Sequence, residues 1–549
     1  MATVMQSQGD GAGRVRRRDL LRMAAAATGV AGIGAWIHPS RVRAAASSPS
    51  SLIVGSNFDI KTLDPGRELE EGTNNIAHVT YDQLVTFQGE DLKTPRPSLA
   101  TGWTISDDGR AYTFRLRPGV RFASGNSLTS ADVKWSLDRL MNIKGNAAFF
   151  LDGVEEIQAR DPLTTVIRLR DPRPGILAIL SSPVCSVVDS RLVMEHGGEA
   201  GPDAKETDKA ESFLNSQSAG SGSFILTSYT PNQDIVLTRN PNHWRGAPPL
   251  GRVIIRNIKE PATQDLELRR GDLDIALAIG PDQIRTLAHA PGVTVKTSLA
   301  SNLLYVMMNN NPQIGGPFSN PKVQQAVRYA LDYQGLLALA GPGAIRLAGT
   351  IPTNFPGALP SSEAVPTDRA RARELLKEAN LGPLSGVLTY SSDLVFYGVQ
   401  NSVIAEKVQQ DLAAVGIRIS LNGLPTALAL QQYRDGKNQL GIWAWAAVFP
   451  DVSYYLGFVP GRTVAVRAGW PADATPETRQ LADLGREAER EVNDAKRAAL
   501  YLKLNRTIAQ IGPWAPMFQP VVPYAFRSNV RGVTFASSWE VDYYAVGKG

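Results

Sequence analysis

The sequence predicts an α/β protein of several domains, and three observations support this prediction. The chain has 549 residues, of which 43% are hydrophobic, so it is long enough for two to four domains at about 100–200 residues each. Patterns typical of strands and of helices alternate along its whole length. Its single cysteine excludes a disulfide scaffold and a zinc site made of thiolates.

The first half of the chain contains clear patterns of a strand, a helix and a loop. Residues 112–116 alternate between apolar and polar side chains, which predicts a half-buried strand. A helix is predicted to begin after Thr129, because Thr129 and Asp132 have the spacing of a capping box. Its apolar face comprises Val133, Leu137, Leu140 and Met141. Residues 200–220 are mostly polar or small, which indicates an excursion over the surface.

The second half shows the same alternation of helices and strands. Asn320 is predicted to cap a helix with Pro321 in its first turn, and the apolar residues that follow have helical spacing. Two further helices are expected to end at Gly382 and Gly416, because glycine adopts the left-handed conformation after a helix with the least strain. Residues 417–421 alternate again and predict a strand.

The positive charge of the chain is confined to its beginning. The formal net charge is +5, and residues 1–46 account for all of it with seven arginines and two aspartates. The remaining residues carry 50 basic and 50 acidic side chains, so this part of the chain is neutral. A basic surface for nucleic acid therefore has no support, and we expect no nucleic-acid partner.

Residues 1–46 have the pattern of a cleaved export signal. The run from Arg16 to Leu21 resembles a twin-arginine signal in which Arg17 and Arg18 form the pair. The apolar run that follows, residues 23–37, is shorter than the roughly 20 residues needed to span a bilayer. Small residues at 44–46 indicate a cleavage site, so we expect a soluble protein in the periplasm. An uncleaved amphipathic or single-pass anchor is the alternative.

The sequence contains no recognisable catalytic pattern. Its five histidines are scattered without an i, i+4 pair, and neither a G-x-S-x-G elbow nor a GxxxxGK[ST] phosphate loop is present. Cys185 is surrounded by valine and serine, which favours an inert buried thiol over a nucleophile. We therefore expect no enzymatic activity, no metal site and no cofactor.

Aromatic residues are concentrated between positions 443 and 458. The six are Trp443, Trp445, Phe449, Tyr454, Tyr455 and Phe458. In a strand, Trp443 and Trp445 face the same side, and flat rings at a strand end are suited to stacking against a ligand. We therefore interpret the segment as the wall of a ligand pocket, although packing in a domain core would produce the same pattern.

Four segments together resemble the bacterial extracellular solute-binding proteins of family 5, the dipeptide, oligopeptide and nickel type that supply ABC importers. The longest reads "LATGWTISDDGRAYTFRLRPGVRFASGNSLTSADVKWS", and the others occur in the order found in the family. The four segments are residues 99–136, 221–244, 266–276 and 305–332. This resemblance implies a periplasmic, monomeric binding protein that captures a peptide-like or other small organic solute and delivers it to the permease subunits of an importer.

The resemblance also implies a two-lobed, class II binding-protein fold, with an extra subdomain in the first lobe and a hinge between the lobes. The chain is expected to cross between lobes near residues 298–301 and again near 513–519. The expected divisions are a signal peptide at 1–46, lobe I at 47–298 with the subdomain at about 96–218, lobe II at 299–516 and a return to lobe I at 517–549.

The resemblance further implies a ligand site in the cleft between the lobes. Peptide-binding members usually hold the free amine of the ligand with an aspartate, and Val448 occupies that position here. Asp451, three residues later, is the one alternative for this role. Thr73, Asn74 and Asn75 correspond to an early contact strip of the family and offer neutral hydrogen bonds.

The identity of the ligand stays open at this point. An ordinary peptide with a free amine is disfavoured, because a valine cannot neutralise an ammonium group and an unpaired buried charge is costly. Sugars, acylated or cyclic peptides, opine-like conjugates, metal chelates and haem remain as ligand classes. A sensory or chaperone-like role on the same binding fold is a further alternative to transport.

Overall fold

The computed structural model describes residues 50–67, 71–89, 91–396, 398–536 and 540–549. The expected signal peptide, with Arg17 and Arg18, lies outside the described residues. In the part of the chain that is described, no helix is long and apolar enough to cross a bilayer.

Strands are distributed along the whole described chain. In chain order, those of the described residues are β1 Ser51–Ser56, β2 Val85–Gln88, β3 Asp91–Pro97, β4 Ala100–Ile105, β5 Ala111–Leu116, β6 Val154–Asp161, β7 Thr164–Leu169, β8 Phe224–Thr230, β9 Asp234–Arg239, β10 Arg252–Asn257, β11 Ile275–Ala276, β12 Val293–Leu299, β13 Asn302–Met308, β14 Ile345–Arg346, β15 Leu384–Ser391, β16 Val395–Phe396, β17 Val399–Gln400, β18 Ile417–Leu424, β19 Leu440–Ala446, β20 Trp514–Gln519, β21 Val521–Arg527, β22 Val530–Arg531, β23 Phe535–Ala536, β24 Glu540–Val541 and β25 Gly547–Lys548.

Helices alternate with these strands, as the sequence predicts. The α-helices of the described residues are α1 Glu71–Thr80, α2 Ser130–Asn142, α3 Ile176–Leu180, α4 Ser190–Glu195, α5 Ala204–Thr207, α6 Glu211–Leu214, α7 Pro261–Arg270, α8 Pro281–Leu287, α9 Pro312–Gly315, α10 Pro321–Ala330, α11 Tyr333–Ala340, α12 Arg369–Ala379, α13 Asn401–Ala413, α14 Thr426–Arg434, α15 Thr463–Arg467, α16 Pro476–Arg490 and α17 Asp494–Ile511.

Two large mixed sheets form the two lobes. The first lobe is built on seven strands in the order β12-β21-β11-β1-β10-β9-β8, and the second on six strands in the order β14-β20-β13-β19-β15-β18. In the first sheet β1 runs parallel to β10 and β11, and in the second β15 runs parallel to β18 and β19. The carboxyl ends of parallel strands are where ligands bind in α/β proteins.

The chain passes between the sheets at two places. It leaves the first sheet after β12 and enters the second at β13, so that residues 300–301 connect the lobes. It returns from β20 to β21 at Pro520. The expected boundary at residue 516 lies inside β20, because that strand pairs with β13 through Phe518 before the chain leaves the second lobe.

A four-stranded antiparallel sheet of order β4-β5-β7-β6, with α2 packed beside it, forms the extra subdomain. The capping box of α2 is confirmed, since the backbone N–H of Thr129 donates to Oδ2 of Asp132 at 2.8 Å and the Thr129 hydroxyl donates to the same oxygen at 2.9 Å. The strand predicted at 112–116 is β5. Apolar side chains of the sheet and of α2 make one buried core.

Strand β13 shows how alternation divides the core of the second lobe. Leu304, Val306 and Met308 belong to one buried cluster, and the residues between them belong to the cluster on the opposite face of the sheet. That opposite face also receives Trp443 of the neighbouring strand β19. The aromatic segment therefore begins inside the core of the second lobe.

Most local predictions for the second half of the chain are confirmed. Helix α10 begins at Pro321, and the Asn320 side chain accepts from the N–H of Lys322 at 2.9 Å. The predicted strand at 417–421 lies within β18, and Gly416 has a φ of 91°. Helix α12 ends before Gly382, because Asn380 takes the left-handed conformation.

The expected surface excursion at 200–220 is confirmed only in part, since half of residues 201–220 are exposed. The stretch forms α5 and α6, and Ala210, Leu214 and Ala219 pack in a buried cluster with Tyr81. Asp208, in the same stretch, accepts hydrogen bonds from the buried Arg139 at 2.8 and 2.9 Å. Small side chains such as those of Ala210 and Ala219 therefore serve close packing on the inner side of this stretch.

Candidate ligand-binding site

A cavity of about 980 Å³ lies between the second lobe and the four-stranded subdomain. The second lobe contributes the ends of α14 and β19 and the segment after β19, whereas the subdomain contributes residues near 149–153 and 169–173. Because its most prominent side chains are aromatic, we refer to it as the aromatic cavity. Its aromatic residues are Phe149, Tyr433, Trp443, Trp445, Phe449 and Tyr454.

The rings from the second lobe form stacked pairs. Tyr433 and Trp443 stack with centroids 4.2 Å apart, and Trp445 and Tyr454 stack with centroids 5.2 Å apart. The indole N–H of Trp445 donates to the backbone carbonyl of Tyr454 at 3.3 Å. Tyr433 is fixed in turn by a 2.8 Å hydrogen bond between its hydroxyl and that of Tyr305. These contacts fix the positions of the rings relative to one another.

The two tryptophans of the predicted wall have different surroundings. Trp443 is only 4% exposed and belongs to the core of the second lobe, while Trp445 is half-buried. The aromatic segment therefore both packs in a domain core and lines a cavity, and Trp443 is mainly a core residue that borders the cavity. Trp445 is the side chain with more area available to a ligand.

Cations outnumber acids around the aromatic cavity. It is lined by six arginines and three acidic residues. Arg462 is paired with Glu489 at 2.6 Å, and Arg490 is paired with Asp171 at 3.2 Å. The other four arginines form no ion pair with a described residue; they are Arg170, Arg173, Arg434 and Arg467. The cavity thus carries a positive charge that its own acids do not neutralise.

Two of these arginines are held by other groups. The guanidinium of Arg467 lies 5.0 Å from the ring centroid of Tyr433 and 5.7 Å from that of Trp445, a cation–π arrangement. Arg173 donates through Nη1 to the carbonyl oxygens of Phe150 and Asp152, at 3.1 and 2.7 Å. Burial lowers the pKa of Arg173, and an anionic ligand would oppose that shift.

Val448 and Phe449 connect the second lobe to the subdomain. Phe449 is buried in the core of the subdomain, where its ring meets Phe150 edge-on at 5.4 Å. Val448 packs against the same core and is half-buried. No charge is therefore present where peptide-binding members were expected to hold an amine.

Asp451 does not replace that missing charge. Its two oxygens accept from Nη1 and Nη2 of Arg497 at 3.0 and 2.6 Å, and Oδ1 also accepts from the N–H of Ser453 at 2.8 Å. Burial raises the pKa of Asp451, but the Arg497 charge and these hydrogen bonds outweigh it, and the pKa is lowered. Because its carboxylate is already neutralised within the protein, the surroundings of Asp451 do not favour the expected role as partner of a ligand amine.

Thr73, Asn74 and Asn75 lie on α1 with buried side chains and line neither this cavity nor the one described next. The hydroxyl of Thr73 donates to the carbonyl of Thr62 at 2.9 Å, and the amide of Asn75 donates to the carbonyl of Val541 at 3.4 Å. Their neutral hydrogen bonds are thus used to fix the start of α1 within the first lobe.

A second cavity, of about 810 Å³, lies between the lobes beside both chain crossings. We refer to it as the hinge cavity. Its residues follow the carboxyl ends of β1, β10 and β11 on one side and of β15 on the other. Polar side chains at its wall include Ser56, Asn57, Gln283, Asn302 and Gln400. Three acidic residues and one lysine also line it; they are Glu260, Asp282, Glu540 and Lys259.

No cluster of three or more histidine, cysteine, aspartate or glutamate side chains that could hold a metal ion occurs among the described residues. Burial raises the pKa of Cys185 to about 12, which keeps this thiol protonated and unreactive at neutral pH.

Comparison with known proteins identifies the family. Residues 94–463, more than half of the chain, match "Bacterial extracellular solute-binding proteins, family 5 Middle". The chain belongs to this family. Its members bind solutes, and the two-lobed fold expected from the sequence is confirmed.

Several individual proteins are similar to this family 5 protein along most of their length. Di/tripeptide-binding protein 2 of Pseudomonas aeruginosa is 26% identical over 511 residues, covering 88% of this chain and 92% of that protein. The probable D,D-dipeptide-binding periplasmic protein DdpA of Escherichia coli is 26% identical over 497 residues, covering 89% and 92%. Among solved structures, the ABC transporter-associated periplasmic binding protein DppA of Helicobacter pylori, in complex with the peptide STSA, has a TM-score of 0.74 at 22% identity, covering 91% and 98%.

Sequence reasoning missed most of the charged residues that line the aromatic cavity. The unpaired arginines come from segments more than 250 residues apart in the chain, and no local spacing connects them. The hinge cavity was missed as well. Its lining residues include Asn57 and Asn302, which lie at the ends of β1 and β13, and neither strand was predicted from the sequence.

Proposed function

We propose that the protein captures a small organic solute that carries at least one anionic group, and that the aromatic cavity holds this solute. The observation that carries the proposal is the charge of the cavity lining, in which six arginines and only three acidic residues lie beside stacked aromatic rings. Guanidinium groups donate paired hydrogen bonds to carboxylates, and aromatic faces stack on planar groups. A carboxylate is the anionic group that a peptide-like solute brings.

A peptide-like solute with a blocked amine fits the cavity best. Relatives named for dipeptides support the peptide class, and the unpaired arginines suit a free carboxylate. Val448, at the position where the family usually has the amine-binding aspartate, carries no charge, and Asp451 is neutralised by Arg497. Two of the three acidic residues of the cavity are paired with arginines. Burying an unpaired ammonium costs several kcal/mol, so acylation of the amine removes the conflict. Opine-like conjugates, haem and metal chelates also carry carboxylates that can pair with the arginines of the cavity.

The solute is then passed to the permease subunits of an ABC importer, and the protein makes or breaks no bond in it. This transport role is supported by the resemblance to a binding protein described as ABC transporter-associated. The protein acts as a monomer in this role. It has no nucleic-acid partner, because residues 47–549 carry no net charge.

The proposal includes export to the periplasm. Residues 1–46 act as a twin-arginine signal peptide that depends on Arg17 and Arg18 and is cleaved near residues 44–46. The mature protein then has lobe I at 47–298 with its subdomain at about 96–218. Lobe II follows from 299, and the final return to lobe I begins at Pro520.

A thermal-shift screen of residues 47–549, unfolded and refolded to remove any carried ligand, tests this proposal. The panel contains free and N-acetylated dipeptides, glutathione, opines, nickel chelates, haem and neutral oligosaccharides. A ligand at about 1,000 times its dissociation constant adds roughly 4 kcal/mol, which raises the Tm by a few degrees. We expect shifts from carboxylate-bearing solutes. A shift from neutral oligosaccharides alone would overturn the proposal.

A further inference from the structure

Asp451 lies in the turn between β19 and the 3-10 helix Val452–Phe458, where the second lobe reaches the subdomain. Arg497, on α17 of the second lobe, donates to both carboxylate oxygens, and the N–H of Ser453 donates to Oδ1. Asp451 is 8% exposed and Arg497 is 9% exposed. The carboxylate therefore has a fixed position on the second lobe.

Gly175 of the subdomain lies directly against this carboxylate. A methyl group at Gly175 would be 2.8 Å from Oδ1 of Asp451 and 3.3 Å from the hydroxyl oxygen of Ser453. The backbone of Gly175 has a φ of −65° and a ψ of −4°, which any residue adopts without strain. Glycine is therefore required here by the neighbouring carboxylate and not by the backbone conformation.

Other contacts join the same two bodies around this point. The rings of Phe150 and Phe449 meet at 5.4 Å, and Arg490 pairs with Asp171 at 3.2 Å. Phe449 and Ser453 line the aromatic cavity, whereas Pro450, Asp451 and Val452 line a separate cavity of about 590 Å³ on the other side. Residues 449–453 are thus a wall of the aromatic cavity that touches the subdomain.

We propose that Asp451, held by Arg497, is a positioning residue that seats the subdomain at Gly175 and so keeps the aromatic cavity closed around its solute. The proposal rests on the aromatic cavity being the solute site. Asp451 contacts no solute in this account. It sets the distance between the subdomain and the aromatic residues of the second lobe. Solute affinity depends on this distance, because the subdomain and the second lobe both line the aromatic cavity.

The variant Gly175→Ala tests the contact. Its methyl group forces the subdomain and the second lobe apart, while the backbone of Gly175 accepts alanine. Gly201→Ala is the matched control, because a methyl group at Gly201 has no atom within 4 Å and its φ lies outside the left-handed region. Asp451→Asn, which keeps the size of the side chain but weakens the pairing with Arg497, is the second variant if Gly175→Ala does not fold.

Two measurements are made on residues 47–549 of each variant. Spin labels at Leu163→Cys in the subdomain and Leu381→Cys in the second lobe, 38% and 45% exposed, report the distance between the two bodies without any ligand. Calorimetric titration measures affinity for the carboxylate-bearing dipeptide with the greatest thermal shift. In Gly175→Ala we expect a longer mean distance and affinity lower by roughly fivefold or more, with Gly201→Ala unchanged.

The outcomes separate the two proposals. If Gly175→Ala has the distance of the parent protein and binds the dipeptide equally well, the positioning role of Asp451 is wrong while the proposed function stands. If the distance increases in Gly175→Ala but no carboxylate-bearing solute binds the parent protein, the proposed function is wrong, while the contact between Asp451 and Gly175 still sets the position of the subdomain. A longer distance with unchanged affinity also overturns the positioning role.

Discussion

The indole of Trp445 stacks on the ring of Tyr454 at an interplanar angle of 24° and also donates its N–H to the backbone of the same residue. A ring held by both contacts loses little freedom when a ligand stacks against it, so less binding energy is spent on ordering it. Trp445 is also half-buried, unlike its neighbour Trp443.

We expect Trp445→Ala to weaken solute binding by roughly tenfold while leaving the fold intact, because the cavity wall loses an aromatic ring on which the solute stacks. Titration calorimetry measures the affinity and circular dichroism the fold. Trp103→Ala, which removes a half-buried tryptophan of the subdomain that does not line the cavity, is the control. Equal affinities of Trp445→Ala and the parent protein would remove Trp445 from the site.

Val448→Asp tests the reason given for the exclusion of free amines. The new carboxylate gives an ammonium group a partner, and we expect roughly fivefold better binding of free dipeptides, or about 1 kcal/mol. Affinity for N-acetylated dipeptides should not improve. Val448→Asn, of similar size but uncharged, is the control. A gain in Val448→Asn as large as in Val448→Asp would show that charge is not the cause.

Arg497→Met breaks the buried pair with Asp451. The lowered pKa of Asp451 in the parent protein means that the pair stabilises the fold above about pH 4 and loses this effect as the pH falls through that pKa. In Arg497→Met the carboxylate is buried without a cation, so its pKa rises and the cost, about 3 kcal/mol, is largest at neutral pH.

We therefore expect the Tm difference between Arg497→Met and the parent protein to shrink from pH 7.5 to pH 4.5 as Asp451 takes up a proton. Scanning calorimetry at several pH values measures it. Arg490→Met is the control, since it breaks an exposed pair with Asp171 and should give a small difference at every pH. A Tm difference between Arg497→Met and the parent protein that grows as the pH falls would contradict the assignment of Asp451 as a charged, buried partner of Arg497.

Export depends on the arginine pair if residues 1–46 are a twin-arginine signal. Replacing Arg17 and Arg18 by lysine should leave uncleaved precursor in the cytoplasm, which immunoblotting of periplasmic and cytoplasmic fractions detects. Replacing Arg41 and Arg43 by lysine is the control and should preserve export. Normal processing of the Arg17 and Arg18 double variant would rule out this route.

Local elements were the most predictable part of the fold. The capping box of α2 and the start of α10 depend on residues within three positions of each other, and both are confirmed. The buried half of residues 200–220 was missed because small side chains look alike in a surface loop and in a tight interface. Tyr81, which receives them, lies more than 100 residues earlier.

The candidate site could be predicted only in part, for the same reason. The aromatic wall was visible because Trp443, Trp445 and Phe449 are close in sequence. The partner of Asp451 was not, since Arg497 is 46 residues away and on a different element. Thr73, Asn74 and Asn75 have side chains suited to a ligand, but all three are buried, and Thr73 and Asn75 donate hydrogen bonds inside the first lobe, which only packing reveals.

The most direct test of the central claim, that the cavity recognises an anionic group, uses one solute in two forms. The N-acetylated dipeptide with the greatest thermal shift is titrated as the free acid and as its C-terminal amide, against the parent protein and Arg434→Ala. Arg434 lines the cavity, is exposed and forms no ion pair with a described residue, whereas Arg418, outside the cavity, supplies the control Arg418→Ala.

We expect the acid to bind the parent protein at least roughly tenfold more tightly than the amide, and Arg434→Ala to reduce that preference while Arg418→Ala does not. Equal affinity for acid and amide in the parent protein would contradict the account, because the unpaired arginines would then play no part in recognising the solute.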